Sequence, residues 1–355
     1  MNKEKGKSKT IKLPIIISLT LSISIIIIIL FFTLDAETIS YLSNTNIRYE
    51  FFIAAIAIEF VYWMLWGLRI KILSNSVETS TKIGLWKSTQ IVFANLFLAN
   101  ITPSMAGGEP VRVYLLNKEG LSTGCATAVV LGERLIDVIF LLICFPFAFL
   151  VLRNYFDVGP LQIGISIAVA VFLIAIVIFF YVLLRPEKTK AFLKFIGRKL
   201  GRFSKNKEKT DATIKRIGTE VDNFHNSMTF FLTKGKKTFF IAGIVTVLFW
   251  AIGWLVPPLL LMGLGLGPHI IESTASQILL IIVVMMPTTP GSAGISEGGT
   301  AALYSLFISS SLLGVFVLLF RFVIYYLGLI VGAIFQYRIF KSVASFSMDV
   351  VKKHE

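Results

Sequence analysis

Thr102-Pro103-Ser104-Met105-Ala106-Gly107-Gly108-Glu109-Pro110 returns later in the chain as Thr289-Pro290-Gly291-Ser292-Ala293-Gly294-Ile295-Ser296-Glu297-Gly298. Thr, Pro, Ala and Gly coincide at an offset of 187, and a glutamate follows each, one place later in the second copy. An arginine recurs at the same offset, Arg134 and Arg321. Each Pro/Gly stretch ends a short apolar segment, 86–101 in the first copy and 273–286 in the second. Segments of this length are too short for confident membrane spanning and suggest re-entrant pieces. Backbone groups freed by proline and glycine inside a bilayer must line a cavity or pack on protein.

The surroundings make the bilayer the solvent. The chain has 355 residues, 55% hydrophobic and only 15% charged, with a mean hydropathy of +0.81. Soluble domains carry about 25% charged residues. Two cysteines exclude a disulfide scaffold, and three scattered histidines argue against a zinc or haem centre. Cys125 and Cys144 lie too far apart on one helix to bridge. Walker A and Gly-rich nucleotide patterns are not found. No cofactor or metal is expected, and the excess of 34 Lys/Arg over 20 Asp/Glu is read as a membrane-topology signal, not as nucleic-acid binding.

Long apolar runs at 13–34, 51–73, 125–152, 161–184, 238–262 and 312–340 give six full spans. The fold class expected is all-α: a polytopic helical membrane protein with six spans and two re-entrant hairpins. Its divisions are a basic N-terminus 1–12, a transmembrane domain 13–340 with repeat halves 51–184 and 238–340, and a tail 341–355. The 185–237 segment holds 15 Lys/Arg against five acids, and it is read as a loop along cytoplasmic head groups. Residues 69–88, with Arg69, Lys71, Lys82 and Lys87, are also basic. Six spans put every basic segment inside, with both termini cytoplasmic in a multi-pass cell-membrane protein. The two repeats then run in opposite directions, and eight spans are the alternative. Inverted repeats whose broken helices meet near the midplane are a known way of building a substrate site.

The candidate site follows from charge in the membrane. Arg134 and Arg321 fall near the midplane, where an arginine costs at least about 2.5 kcal/mol without a partner or a wet cavity. Arg112 sits in the first returning half-helix. Glu133 and Asp137 share the helix of Arg134, and the i,i+3 spacing lets Asp137 pair with it. Two half-helix N-termini aimed at the midplane suit an anion, which nominates Thr102, Gly107, Gly108, Thr289 and Gly294. The alternative is that Glu109 and Glu297 already cap those ends. Glu109, Glu133, Asp137 and Glu297 are therefore either proton carriers or ion-pair partners. Glu59 lies in mid-span. Tyr62, Trp63 and Trp66 read as packing or interface anchors, and Gly328 and Gly332 as aids to helix packing.

The block Asn95…Asn100-Ile101-Thr102-Pro103…Ala106-Gly107-Gly108-Glu109-Pro110…Arg112, with Gly132-Glu133-Arg134…Asp137 and Thr289-Pro290-Gly291…Gly294…Glu297, resembles the lysylphosphatidylglycerol synthase transmembrane-region family, the flippase-like UPF0104 membrane proteins. The resemblance spans about 10–340. It implies a lipid-handling membrane domain. In multiple-peptide-resistance proteins that region is joined to an aminoacyl-transferase domain and moves aminoacylated phosphatidylglycerol between leaflets. Some archaeal relatives carry a glycosyltransferase domain instead. This sequence shows neither domain, so it is not expected to be an enzyme.

The function expected is translocation of an anionic phospholipid or polyprenyl-linked lipid between leaflets. The partners expected are membrane lipids and a separate lipid-modifying enzyme. A secondary transporter of a small anion is the rival, with an accessory subunit of a lipid-modifying enzyme or a membrane-embedded enzyme behind it.

Overall fold

The structure, a computed structural model, describes residues 47–77, 82–102, 107–152, 235–284, 289 and 291–335, with scattered positions at 20–43, 170–195 and 221–233. The chain is a polytopic helical membrane protein, and the described residues contain no strand. Four helical stretches are long and apolar enough to cross a bilayer: Tyr49–Val77, Thr123–Leu152, Lys236–Gly263 and Ser310–Phe335. The expected spans 13–34 and 161–184 fall largely outside the described residues, as do the tail 341–355 and the break residues Pro103 and Pro290.

In chain order the helices are α1 (Tyr49–Val77), α2 (Leu85–Ile101), α3 (Gly108–Lys118), α4 (Thr123–Leu152), α5 (Lys236–Gly253), α6 (Val256–Gly263), α7 (Ile270–Val284), α8 (Ile295–Tyr304) and α9 (Ser310–Arg321). The short segments α2 and α7 each run to a break, and α3 and α8 follow the two breaks. Their starts, Gly108 and Ile295, stand 187 residues apart. So do the starts of the long helices that follow, Thr123 and Ser310. The repeat seen as a few matching letters is thus a repeat of helix, break, helix and long helix.

Two local features follow directly from sequence. The third span bends between α5 and α6 because Pro257 and Pro258 open α6. Neither can donate to the carbonyl four residues earlier. The fourth span passes through a π-helical turn, Phe322–Tyr326, immediately after Arg321. Such turns are most common at functional positions, and here the Tyr325 carbonyl accepts from Asn100 Nδ2 of α2, 3.3 Å.

Packing gathers into two large hydrophobic cores and a small third one of Leu141, Phe249 and Trp250. One large core gathers Trp63, Ile70, Val92, Leu116 and Val129 around the first hairpin. The other gathers Val256, Leu260, Leu279, Tyr304 and Phe316 around the second. Outward faces carry Ile53, Ile143, Phe240 and Ile330, all more than half exposed. An apolar coat of that extent fits lipid and not water.

Part of the expected basic loop 185–237 is core instead. Met228 and Phe231 are fully buried, because Gly132 of α4 leaves room for the Phe231 ring. Lys190 bridges Glu187 (2.9 Å) and Asp222 (2.5 Å). These hydrogen bonds, the Asp222 one first, hold its ammonium above the usual lysine range. Residues 196–220 of that segment lie outside the described residues.

Gly332 belongs to packing, as its spacing suggests. A Cβ there would run into the backbone of Phe97 on α2. Gly332→Ala should therefore lose about 1–3 kcal/mol by overpacking, read as an earlier melting transition in detergent. Gly243→Ala, where a Cβ meets nothing within 4 Å, should not move the transition downwards.

Candidate functional site

Arg134 and Arg321 are each the twelfth residue of their long helix, and each reaches back to the glutamate of the hairpin before it. Arg134 Nε donates to Glu109 Oε1 at 2.8 Å. Arg321 Nε donates to Glu297 Oε1 at 2.8 Å. The same atoms meet at the same distance in both repeats, so the offset of 187 is a repeat of chemistry as well as of shape.

Their surroundings differ. The side chains of Arg321 and Glu297 are 3% and 0% exposed, whereas those of Arg134 and Glu109 are 32% and 33% exposed. Arg321 also donates from Nη1 to Ser296 Oγ (3.3 Å) and from Nη2 to the Gly291 carbonyl (3.0 Å). Its guanidinium lies 4.0 Å from the centre of the Tyr325 ring. Arg134 has one hydrogen bond among the described residues, the one to Glu109. The expected Asp137 partner stands 3.8 Å from its Nη1, beyond hydrogen-bond length.

The i,i+3 ion pair with Arg134 is thus present but loose, and Asp137 is held more closely by Arg69. Arg69 Nη2 sits 2.8 Å from Asp137 Oδ1 and donates to the Glu133 carbonyl at 3.1 Å, while the indole of Trp250 donates to Asp137 Oδ1 at 3.0 Å. Arg112 Nη1 donates to Glu133 Oε2 at 2.6 Å. Arg69 opens the basic segment 69–88 of the sequence. It is fully buried, because α1 continues to Val77 and carries it past the face of α4. Its guanidinium lies 4.7 Å from the centre of the Phe249 ring. The available signal was Asp137 itself: an aspartate inside a span needs a cation, and Arg69 lies inside the span 51–73.

The two breaks touch. The Gly291 N–H donates to the Thr102 carbonyl at 3.1 Å. Two of the hairpin amides that sequence offers to an anion are already used within the protein. Thr102 Oγ1 accepts from the Gly107 N–H (2.8 Å), and Glu297 Oε2 accepts from the Gly294 N–H (2.7 Å). Capping thus describes these ends, by Glu297 in the second hairpin and by Thr102, not Glu109, in the first. Thr289 Oγ1 donates to the Ala293 carbonyl (2.6 Å). A Cβ on Gly108 would collide with the Asn95 side chain, so Gly108 serves the close approach of α3 to α2.

Between the repeats lies a cavity of about 190 Å³. Its walls include Arg134 and Asp137 of the first repeat and Ser296 and Arg321 of the second. Glu59, Tyr62, Trp63, Trp66 and Arg69 of α1 also line it. The aromatic residues are therefore packing residues that wall the cavity: Tyr62 stacks on Phe249, with 4.0 Å between centroids. Of the other nominated residues, Arg112, Glu133, Thr102, Gly107, Gly108, Thr289, Gly294 and Glu297 do not line the cavity. Glu109 faces elsewhere, into an open groove between α3 and α4 lined also by Pro110, Val113, Tyr114, Val130 and Leu131. The Glu109–Arg134 pair thus divides groove from cavity. No group of three His, Cys, Asp or Glu that could hold a metal is found among the described residues.

The sequence profile of the lysylphosphatidylglycerol synthase TM region matches residues 15–332. A UPF0104 membrane protein of Archaeoglobus fulgidus is 32% identical over 296 residues, covering 82% of this chain and 87% of that protein. One from Methanocaldococcus jannaschii is 28% identical over 306 residues, covering 83% and 86%. Another, from Methanothermobacter thermautotrophicus, is 28% identical over 264 residues, covering 71% and 74%. No solved structure matches the chain.

Proposed function

This chain belongs to the lysylphosphatidylglycerol synthase TM-region family, and from that premise we propose that it moves an anionic phospholipid or polyprenyl-linked lipid between the two leaflets. The observation that carries the proposal is the cavity at the meeting of the repeats, with Arg134 and Arg321 on its wall. The two arginines have separate roles. Arg321, enclosed by four protein contacts, braces the second break. Arg134, a third exposed and on the cavity wall, receives the lipid phosphate. Arginine suits this task because its planar fork grips phosphate through parallel hydrogen bonds.

A lipid is favoured over a small anion by the groove beside the Glu109–Arg134 pair. A soluble anion needs only a watery pore, whereas acyl chains need an apolar flank open sideways. Pro110, Val113, Val130 and Leu131 supply apolar surface next to the arginine, with Asn117, Thr123 and Thr127 lining the rest of the groove. The unequal exposure of the two pairs fits inverted repeats in alternating access, one half open while the other is closed. The lipid would come from a separate lipid-modifying enzyme, and the chain itself carries out no bond chemistry in this scheme. Identification by mass spectrometry of lipid copurified with the protein tests the proposal. An enriched anionic lipid, depleted in Arg134→Ala, supports it; no enrichment over bulk lipid opposes it.

Orientation is part of the same proposal. Both termini and the 185–237 segment are placed in the cytoplasm by their basic residues. With Cys125 and Cys144 replaced by serine, a Lys207→Cys variant should react with a membrane-impermeant maleimide only after the cells are opened. Labelling in intact cells would reverse the orientation.

A further inference from the structure

Five carboxylates lie in or beside the cavity: Glu59, Glu109, Glu133, Asp137 and Glu297. Four have an arginine within salt-bridge distance. Glu109 has Arg134, Glu133 has Arg112, Asp137 has Arg69, and Glu297 has Arg321. Glu59 has none among the described residues. It is 2% exposed, it lines the cavity, and its Oε2 is buried with no hydrogen-bond partner. Four arginines balance four carboxylates, which leaves Glu59 as the uncancelled charge of the site.

The groups around Glu59 do not offer it a counter-charge. On α1 the titratable neighbours along the cavity are Tyr62 and Arg69, and Arg69 is committed to Asp137. From α4 come Arg134 and Asp137, and from the end of α9 Arg321, each engaged as described; Tyr325 follows in the π-helical turn. Facing α2 presents Asn95 and Asn100, α5 presents Phe249 and Trp250, and α7 presents Gln277, all uncharged. α6 has no titratable side chain. Trp63 gives Glu59 a side-chain hydrogen bond but no charge, and a buried carboxylate without a counter-charge is costly enough that it normally takes up a proton.

We propose that Glu59 is the proton-binding group of the cavity and that its proton travels with the lipid. This rests on the translocase proposal and names its coupling ion. The step is a plain protonation: a proton from water on one side converts the carboxylate to the neutral acid, and its release to the other side restores the charge. A lipid phosphate arriving at Arg134 adds a negative charge to the same small cavity. Two like charges in so confined a space repel strongly, so lipid and proton each favour the binding of the other. One proton per singly charged lipid makes the movement electroneutral. The glutamates that pair with arginine are poor carriers by comparison, since protonating one would strand its arginine.

The test uses the full chain reconstituted in vesicles containing fluorescent phosphatidylglycerol, with an imposed pH gradient. In the parent protein, the steady-state leaflet ratio of the lipid should shift by about tenfold per pH unit, the yield of one coupled proton. Glu59→Gln, which fixes the neutral form at nearly the same volume, should lose the response to the gradient. Infrared difference spectra between two pH values should show a protonated-carboxyl band that is lost in Glu59→Gln and displaced in Glu59→Asp. Added phosphatidylglycerol should move the titration of that band to higher pH. A Glu59→Gln protein that keeps either the parent's gradient response or the parent's carboxyl band overturns the inference. If the parent moves no lipid, the translocase proposal fails, and the infrared band still decides whether Glu59 binds the proton.

Discussion

Arg321→Ala should strip the protein of about 3–5 kcal/mol of stability, the usual cost of removing one partner of a buried ion pair. The size follows from geometry. The Arg321 and Glu297 side chains are 3% and 0% exposed, so water cannot reach the stranded carboxylate. Glu297 would keep its second oxygen on the Gly294 N–H but lose the Arg321 guanidinium from its first. The Gly291 carbonyl and Ser296 hydroxyl would lose a donor as well. Because Gly291 also holds the first break through Thr102, the damage should extend to both hairpins. Melting in detergent, followed by size-exclusion chromatography after heating, would show the loss. Adding Glu297→Gln to Arg321→Ala should restore part of it, since the neutral amide no longer needs a cation. An Arg321→Ala protein that melts with the parent would show that the pair does not brace the fold.

Arg134→Ala is expected to behave in the opposite way: folded, and unable to move lipid. Its pair with Glu109 is a third exposed on both sides, and exposed pairs contribute about 0–1 kcal/mol. Asp137 would keep Arg69 and Trp250, and Glu109 could hydrate from the groove. Transport should suffer far more. A phosphate crossing about 30 Å of hydrocarbon needs a charged stop, and Arg321 has already committed its nitrogens. Each lost hydrogen bond between charged groups is worth about 1.5–3 kcal/mol, so movement should slow roughly ten- to a hundredfold per contact. Arg134→Lys should recover only part, because a point charge replaces the two-pronged grip. The rates are read as transbilayer movement of fluorescent phosphatidylglycerol, beside the melting temperature of each variant. Parent-like movement in folded Arg134→Ala would remove Arg134 from the lipid path.

Much of the architecture is legible in the residues because membrane physics is coarse. Twenty apolar residues must span, and short apolar runs ending at Thr102-Pro103 and Thr289-Pro290 mark breaks. The offset of 187 relates Arg134 to Arg321, and the structure places both arginines at the same position of their helices. Pair identity was less legible. Asp137 stands three residues from Arg134 and pairs with it at 3.8 Å, but the approach of α1 adds Arg69 as the closer partner at 2.8 Å. Nothing local to Arg69 announces its burial; only the length of α1 does. The capping of the hairpin ends was also a matter of distance. Thr102 and Glu297 both carry suitable oxygens, and which amide each reaches depends on backbone turns that spacing does not specify. Glu59 was visible as a mid-span carboxylate, yet its isolation became evident only once every neighbouring arginine had been assigned elsewhere.

The most direct measurement is transbilayer movement of labelled lipid by the purified parent protein in sealed vesicles, with an anionic and a zwitterionic phospholipid compared side by side. The label on each lipid is bleached from outside by an impermeant reductant. Bleaching of phosphatidylglycerol should proceed beyond the outer leaflet, at a rate that rises with protein per vesicle and falls in Arg134→Ala, while phosphatidylcholine lags behind. Bleaching that stops at the outer leaflet for every lipid, in vesicles shown to contain folded protein, would contradict the assignment of this cavity to lipid translocation.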